Sequence, residues 1–131
     1  RIRSDENYVR HIRNDSKAGK VASKLIWQKK TIHSSLCSLP VDREVVALRI
    51  NRALLQYCGE LSASFAPTLA QFVLVCGLED PDMTDEIYIQ LIKHCTGNPK
   101  ASSENKAWLL LCMASKTFPP SATFAPFLIN F

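Results

Sequence analysis

The stretch TDEIYIQLIKHCTGNPKASSENKAWLLLCMASKTF, residues 84–118, decides the fold. Thr84, Asp85 and Glu86 set oxygens and negative charge where a starting helix has open amides and the positive end of its dipole. Ile87, Tyr88, Leu91, Ile92 and Cys95 follow at three- and four-residue spacing and predict a helix to about Thr96, with Glu86, Gln90 and Lys93 on its outer side. Gly97-Asn98-Pro99 stops it, and Ser102 or Ser103 is placed to cap a next helix that runs to about Lys116. The middle of that helix, residues 107–114, is apolar on every side, which predicts a place at the centre of a bundle.

Upstream, the pattern repeats with different punctuation. Residues 43–57 predict a helix with Asp42 as its cap, Gly59 as its left-handed stop, and Arg49, Arg52 and Gln56 as a polar stripe. Pro67 opens a shorter helix through Leu69, Phe72, Val73 and Cys76 with Gly77 as the expected stop, and with Gln71 its lone interior polar residue it is expected to be largely buried. The Cys-Gly endings at 58–59 and 76–77 hint weakly at a repeat. Downstream, Phe118-Pro119-Pro120 breaks the chain, and Ser121 or Thr123 caps a last helix, Thr123 fitting better because Pro126 then falls in a first turn. Residues 21–39, with Leu25, Ile26, Trp27, Ile32, Leu36 and Leu39 as anchors and Pro40 as terminator, read as a strap laid onto the domain, and residues 1–20 as a basic leading segment. No segment alternates apolar and polar residues, so the expected fold class is all-α, a bundle of about five or more helices.

Composition narrows the function. The chain has 131 residues, 47% hydrophobic and 21% charged, enough for one core without metal or disulfide staples. No apolar run approaches the roughly 20 residues of a membrane span. With Arg1 first and no secretory leader pattern, the chain reads as an internal piece of a longer protein. Cys37, Cys58, Cys76, Cys95 and Cys112 lack metal-ligand spacing and read as buried core thiols in a reducing, cytoplasmic setting. His11, His33 and His94 are read as surface side chains, and neither a nucleophile–base pair nor a phosphate-binding glycine loop is visible, so no enzyme, cofactor or metal is expected. Residues 1–33 hold nine Lys and Arg against three Asp and Glu, while residues 34–131 hold seven against nine. A basic first quarter suits an acidic partner.

The run Asp85-Glu86-Ile87-Tyr88-Ile89-Gln90-Leu91-Ile92-Lys93, then Thr96, Asn98-Pro99, Trp108-Leu109-Leu110 and Phe118-Pro119-Pro120-Ser121, resembles the signature half of the myosin tail homology 4 domain. Trp27-Gln28-Lys29-Lys30, Ser35-Leu36 and Leu55-Gln56-Tyr57-Cys58-Gly59-Glu60 are similar to its opening half. The resemblance implies that residues 21–131 form a helical module of a motor or adaptor tail, cytoplasmic and associated with the cytoskeleton, commonly followed by a FERM domain. It further implies binding to cargo or adaptor proteins and, in several members, to microtubules. The family's bundle runs on beyond the point matching Phe131, which implies truncation at the C-terminal end.

Charge and expected exposure nominate Lys24, Lys29, Lys30, Lys93, Lys100 and Lys106 as the surface that would meet acidic tubulin tails or cargo. Trp108, Tyr88 and Phe118 are assigned to the core. The competing reading takes residues 20–30, basic around Val21, Leu25, Ile26 and Trp27, as an interfacial helix on an anionic membrane. Nucleic acid is not expected, since the basic segment offers few aromatics for stacking.

Overall fold

A computed structural model describes residues 25–131, which fold into five α-helices and one short 3-10 turn. They are α1, Val41–Tyr57; α2, Ala66–Glu79; the 3-10 turn Pro81–Met83; α3, Thr84–Cys95; α4, Ala101–Thr117; and α5, Ala125–Asn130. Helix α1 packs along α2, and α3 along α4, with α3 also against α1. Among the described residues there is no strand, as the absence of alternating pattern predicts.

The central helix is α3, not α4. Every residue of α3 except Asp85 is buried, including Glu86, Gln90, Lys93 and His94, which were expected on its outer side. Residues 25–39 cause the difference. They run without helix over α3 and α1, and their amides and carbonyls, lacking a ladder, take side-chain partners instead. The Glu86 carboxylate accepts from Leu36 N (3.0 Å), Cys37 N (2.6 Å) and Gln90 Nε2 (2.8 Å), while Gln90 Nε2 also donates to Ala47 O (3.0 Å). Asn51 Oδ1 on α1 accepts from Ile32 N (3.1 Å), and Lys93 Nζ donates to Ile26 O (2.7 Å). Polar residues of α3 therefore hold the strap rather than face water.

Helix α4 correspondingly lies at the rim. Ala107, Leu110, Leu111 and Ala114 face inward, whereas Leu109 is 56% and Trp108 39% exposed, Trp108 stacking on Phe131 (5.3 Å between centroids). This corrects the assignment of Trp108 to the core. Helix α2 is also peripheral, with only Ala70, Val73 and Gly77 buried. Gly77 does not stop it. It lies in the helix interior, where a Cβ would overlap the Phe118 ring, so glycine permits α2 and the chain after α4 to touch. The Cys-Gly echo at 58–59 and 76–77 is thus not structural repetition.

The remaining ends are fixed by local chemistry. Gly59 (φ 85°) closes α1, with Gly59 N bonded to Gln56 O (3.1 Å) and Glu60 N to Leu55 O (2.8 Å). Pro40, not Asp42, occupies the cap position of α1. Lys100 precedes α4, and neither Ser102 nor Ser103 caps it. Past α4, Tyr88 donates its hydroxyl to Phe118 O (2.7 Å), and Asp85 accepts from Ser121 N (2.9 Å) and Ser121 Oγ (2.5 Å). Ser121 Oγ in turn accepts from Phe124 N (3.2 Å), so Ser121 rather than Thr123 serves the start of α5. Cys37, Cys58 and Cys95 are buried as expected; Cys76 is half-buried, and Cys112 is exposed on the rim of α4.

Candidate functional site

The carboxyl end of α1, the turn between α3 and α4, and the start of the strap meet at one end of the bundle. Glu60 follows the Gly59 stop with its side chain wholly buried and accepts from Lys100 Nζ at 3.0 Å. Burial alone opposes ionisation of Glu60, but hydrogen bonds from Lys100 and Ser103, together with the charges of Lys100 and Lys29, outweigh it and hold the carboxyl below its usual range. Lys106 reaches the same place from the second turn of α4, its Nζ 3.9 Å from where a Cβ on Gly59 would stand. Lys30 follows Lys29 on the exposed strap, where Gln28 Nε2 donates to Lys30 O (2.9 Å) and shapes the turn.

The turn presenting Lys100 is built by its own sequence. Gly97 takes φ 66°, Asn98 Nδ2 donates to His94 O (3.1 Å) and Ser103 Oγ (3.0 Å), and Asn98 Oδ1 accepts from Lys100 N (3.0 Å). Asn98 thus stops α3, steadies the first turn of α4 and aims Lys100 with one side chain.

Of the six lysines nominated from the sequence, Lys29, Lys30, Lys100 and Lys106 are exposed and lie at this end. Lys24 lies outside the described residues. Lys93 is a correction: it is 3% exposed, bonded to the strap at Ile26 O, and burial lowers its pKa to about 8. Its place on α3 under the strap removes it from any surface patch. His94 is likewise interior, pushed down to about 4 by burial and then by the Lys93 charge, with Glu60 opposing. Sequence reasoning did not give Glu60 its role, because the only hint, an acid after a helix-stop glycine, lies 40 positions from its partner Lys100.

Where it is described, the basic strap departs from an interfacial helix. Residues 25–30 form none, Leu25 is buried, and Trp27 N donates to Thr96 O (2.8 Å). No helix among the described residues is long and apolar enough to cross a membrane, and no group of three His, Cys, Asp or Glu there is placed to hold a metal ion.

The helix, Asn-Pro turn, tryptophan helix and Phe-Pro-Pro-Ser segment of this bundle lie within residues 70–131, and those residues match the model of the MyTH4 domain family. The chain carries a MyTH4 domain. This MyTH4 chain is 35% identical over 99 residues to the high molecular weight form of myosin-1 of Acanthamoeba castellanii, covering 76% of this chain and 6% of that protein. It is 32% identical over 119 residues to human unconventional myosin-XVB, covering 87% of this chain and 4% of that protein. It therefore spans a small part of the relatives it matches. Among solved structures, the C-terminal MyTH4-FERM domain of human myosin 7b, in complex with the harmonin-a PDZ3 domain, superposes with a TM-score of 0.77 at 28% identity, over 81% of this chain and 23% of that one. The MyTH4-FERM MF2 domain of Dictyostelium discoideum myosin VII shares the fold with a TM-score of 0.80 at 24% identity, over 90% and 24% respectively. A MyTH4 domain of this kind is a module of unconventional myosin tails.

Proposed function

We propose that this MyTH4 domain binds acidic segments of protein partners, cargo or adaptor proteins and the acidic tails of tubulin, through the rim formed by Lys29, Lys30, Lys100 and Lys106. The observation that carries the reading is the gathering of three of these lysines, Lys29 from the strap, Lys100 just before α4 and Lys106 from its second turn, around Gly59 and the buried carboxylate of Glu60. Glu60 neutralises part of the charge and holds Lys100 in place, which lowers the ordering cost when a carboxylate-rich segment arrives. The setting is the cytoplasm at the cytoskeleton, with a FERM domain beside it in the full-length protein, as in the myosin VII and 7b chains it resembles.

Cosedimentation with stabilised microtubules, before and after proteolytic removal of the acidic tubulin tails, tests the tubulin branch. The expected result is salt-sensitive binding that falls on tail removal and in a Lys29→Glu, Lys30→Glu, Lys106→Glu variant. Equal binding with and without tails contradicts it. Flotation with anionic liposomes supplies the competing arm: binding there, with none to microtubules or acidic peptides, would favour the membrane-surface reading through residues 20–30.

A further inference from the structure

The outer face of α1 and α2 has no covering among the described residues, and it is self-complementary. On α1, Asp42, Val45 and Arg49 are exposed at a spacing of three and four, so they share one stripe, with Val41 beside them at 80% exposure. On α2, Val75 and Leu78 are exposed, at 38% and 56%. The helices run antiparallel in a known register, since Arg43 Nε meets Asp80 Oδ2 at 2.8 Å and the Arg49 guanidinium lies 5.5 Å from the centroid of the Phe72 ring. The face therefore reads acid, then aliphatic, then cation along its length.

We infer that this face pairs with the same face of a second copy through a two-fold axis that crosses α1 at Val45. Of the two-folds lying in the contact plane, one parallel to the helices would set Asp42 of one copy against Glu79 of α2 in the other, acid on acid. One perpendicular to the helices turns α1 end for end against its counterpart, so that Asp42 of each copy meets Arg49 of the other, twice, with the aliphatic side chains between. Asp42 and Arg49 lie about 10.5 Å apart along the helix, three and four residues to either side of Val45, so an axis close to that side chain brings each opposite the other. A standard interface removes about 800 Å² from each partner, and this face offers only four exposed aliphatic side chains, Val41, Val45, Val75 and Leu78, so the dimer is weak and concentration-dependent. The contact lies away from the lysine rim at the carboxyl end of α1 and stands independently of it.

Sedimentation velocity of the whole chain across a concentration series reaching the millimolar range tests the assignment. The expected result is a monomer at low and a dimer at high concentration, weakened about tenfold or more by either Asp42→Lys or Arg49→Glu, each of which places like charges opposite one another at two points. An equimolar mixture of the two variants restores an attraction at both contact points and is expected to dimerise about as well as the original chain, which separates loss of contact from loss of fold. A monomer at every concentration overturns the inference, as does a dimer that both single variants leave intact or a mixture that fails to associate while each variant keeps its helical spectrum.

Discussion

At the scale of single residues, Glu86 is the side chain on which the strap depends. Its carboxylate, fully buried, accepts from two strap amides and from Gln90. Glu86→Ala leaves those donors unsatisfied and is expected to cost about 2–4 kcal/mol in urea unfolding, against a smaller loss for Glu86→Gln, whose amide oxygen still accepts. His94 adds a pH dependence of known sign. Its folded pKa of about 4 lies below its ordinary value of 6.5, so the unfolded chain binds more protons between those limits and stability falls as pH drops through that window. The contribution is about 3 kcal/mol, present in full above pH 6.5 and absent in His94→Gln, read as the difference in pH slope between the two proteins by chemical denaturation. Glu86, whose carboxyl is pushed up by burial, gives the opposite slope above its ordinary range and cancels in that difference.

At the scale of elements, Gly77 shows how packing overrides propensity. In an exposed helix interior, Gly to Ala stabilises by about 1 kcal/mol. Here the added methyl meets the Phe118 ring, so Gly77→Ala is expected to destabilise by about 1–3 kcal/mol and to lower the thermal midpoint, the reverse of what the helix alone would do. The same contrast explains what was legible in the sequence. Helix existence and most helix ends were, because Gly59, Gly97, Pro67 and the Phe118-Pro119-Pro120 break act within a turn of their own position. Burial was legible only for the apolar faces, where Ile87, Tyr88, Leu91, Ile92, Cys95 and Phe118 are buried as read, because a helix shows the period of its faces but not what covers the polar ones. The polar face of α3 reads as solvent-facing until a strap 50 positions away is known to lie on it, and the apolar run of α4 reads as central although Leu109 and Trp108 point outward. Four of the six nominated lysines are found at one exposed end, because charge and turn position select for surface there, whereas Lys93 was misplaced for the same reason as Glu86 and Gln90.

At the scale of the whole molecule, charge is divided between the two ends of the bundle. Asp42, Glu79, Asp80, Asp82 and Asp85 gather where α1 and α3 begin and α2 ends, and Lys29, Lys30, Lys100 and Lys106 gather at the opposite end. Neutralising one end by reversing its charges therefore changes the field seen by an acidic partner far more than reversing a cation elsewhere. Lys116, exposed at the far end of α4, provides the matched comparison, since Lys116→Glu alters net charge as much as Lys106→Glu does. The most direct measurement is the affinity of a labelled glutamate-rich peptide for the chain by fluorescence anisotropy across a salt series, in the original protein, in Lys106→Glu and in Lys116→Glu. A lysine rim that captures acidic segments predicts affinity that falls with salt, drops several-fold in Lys106→Glu with a shallower salt dependence, and stays near the original in Lys116→Glu. Equal losses in the two variants, or peptide binding indifferent to salt, would contradict it.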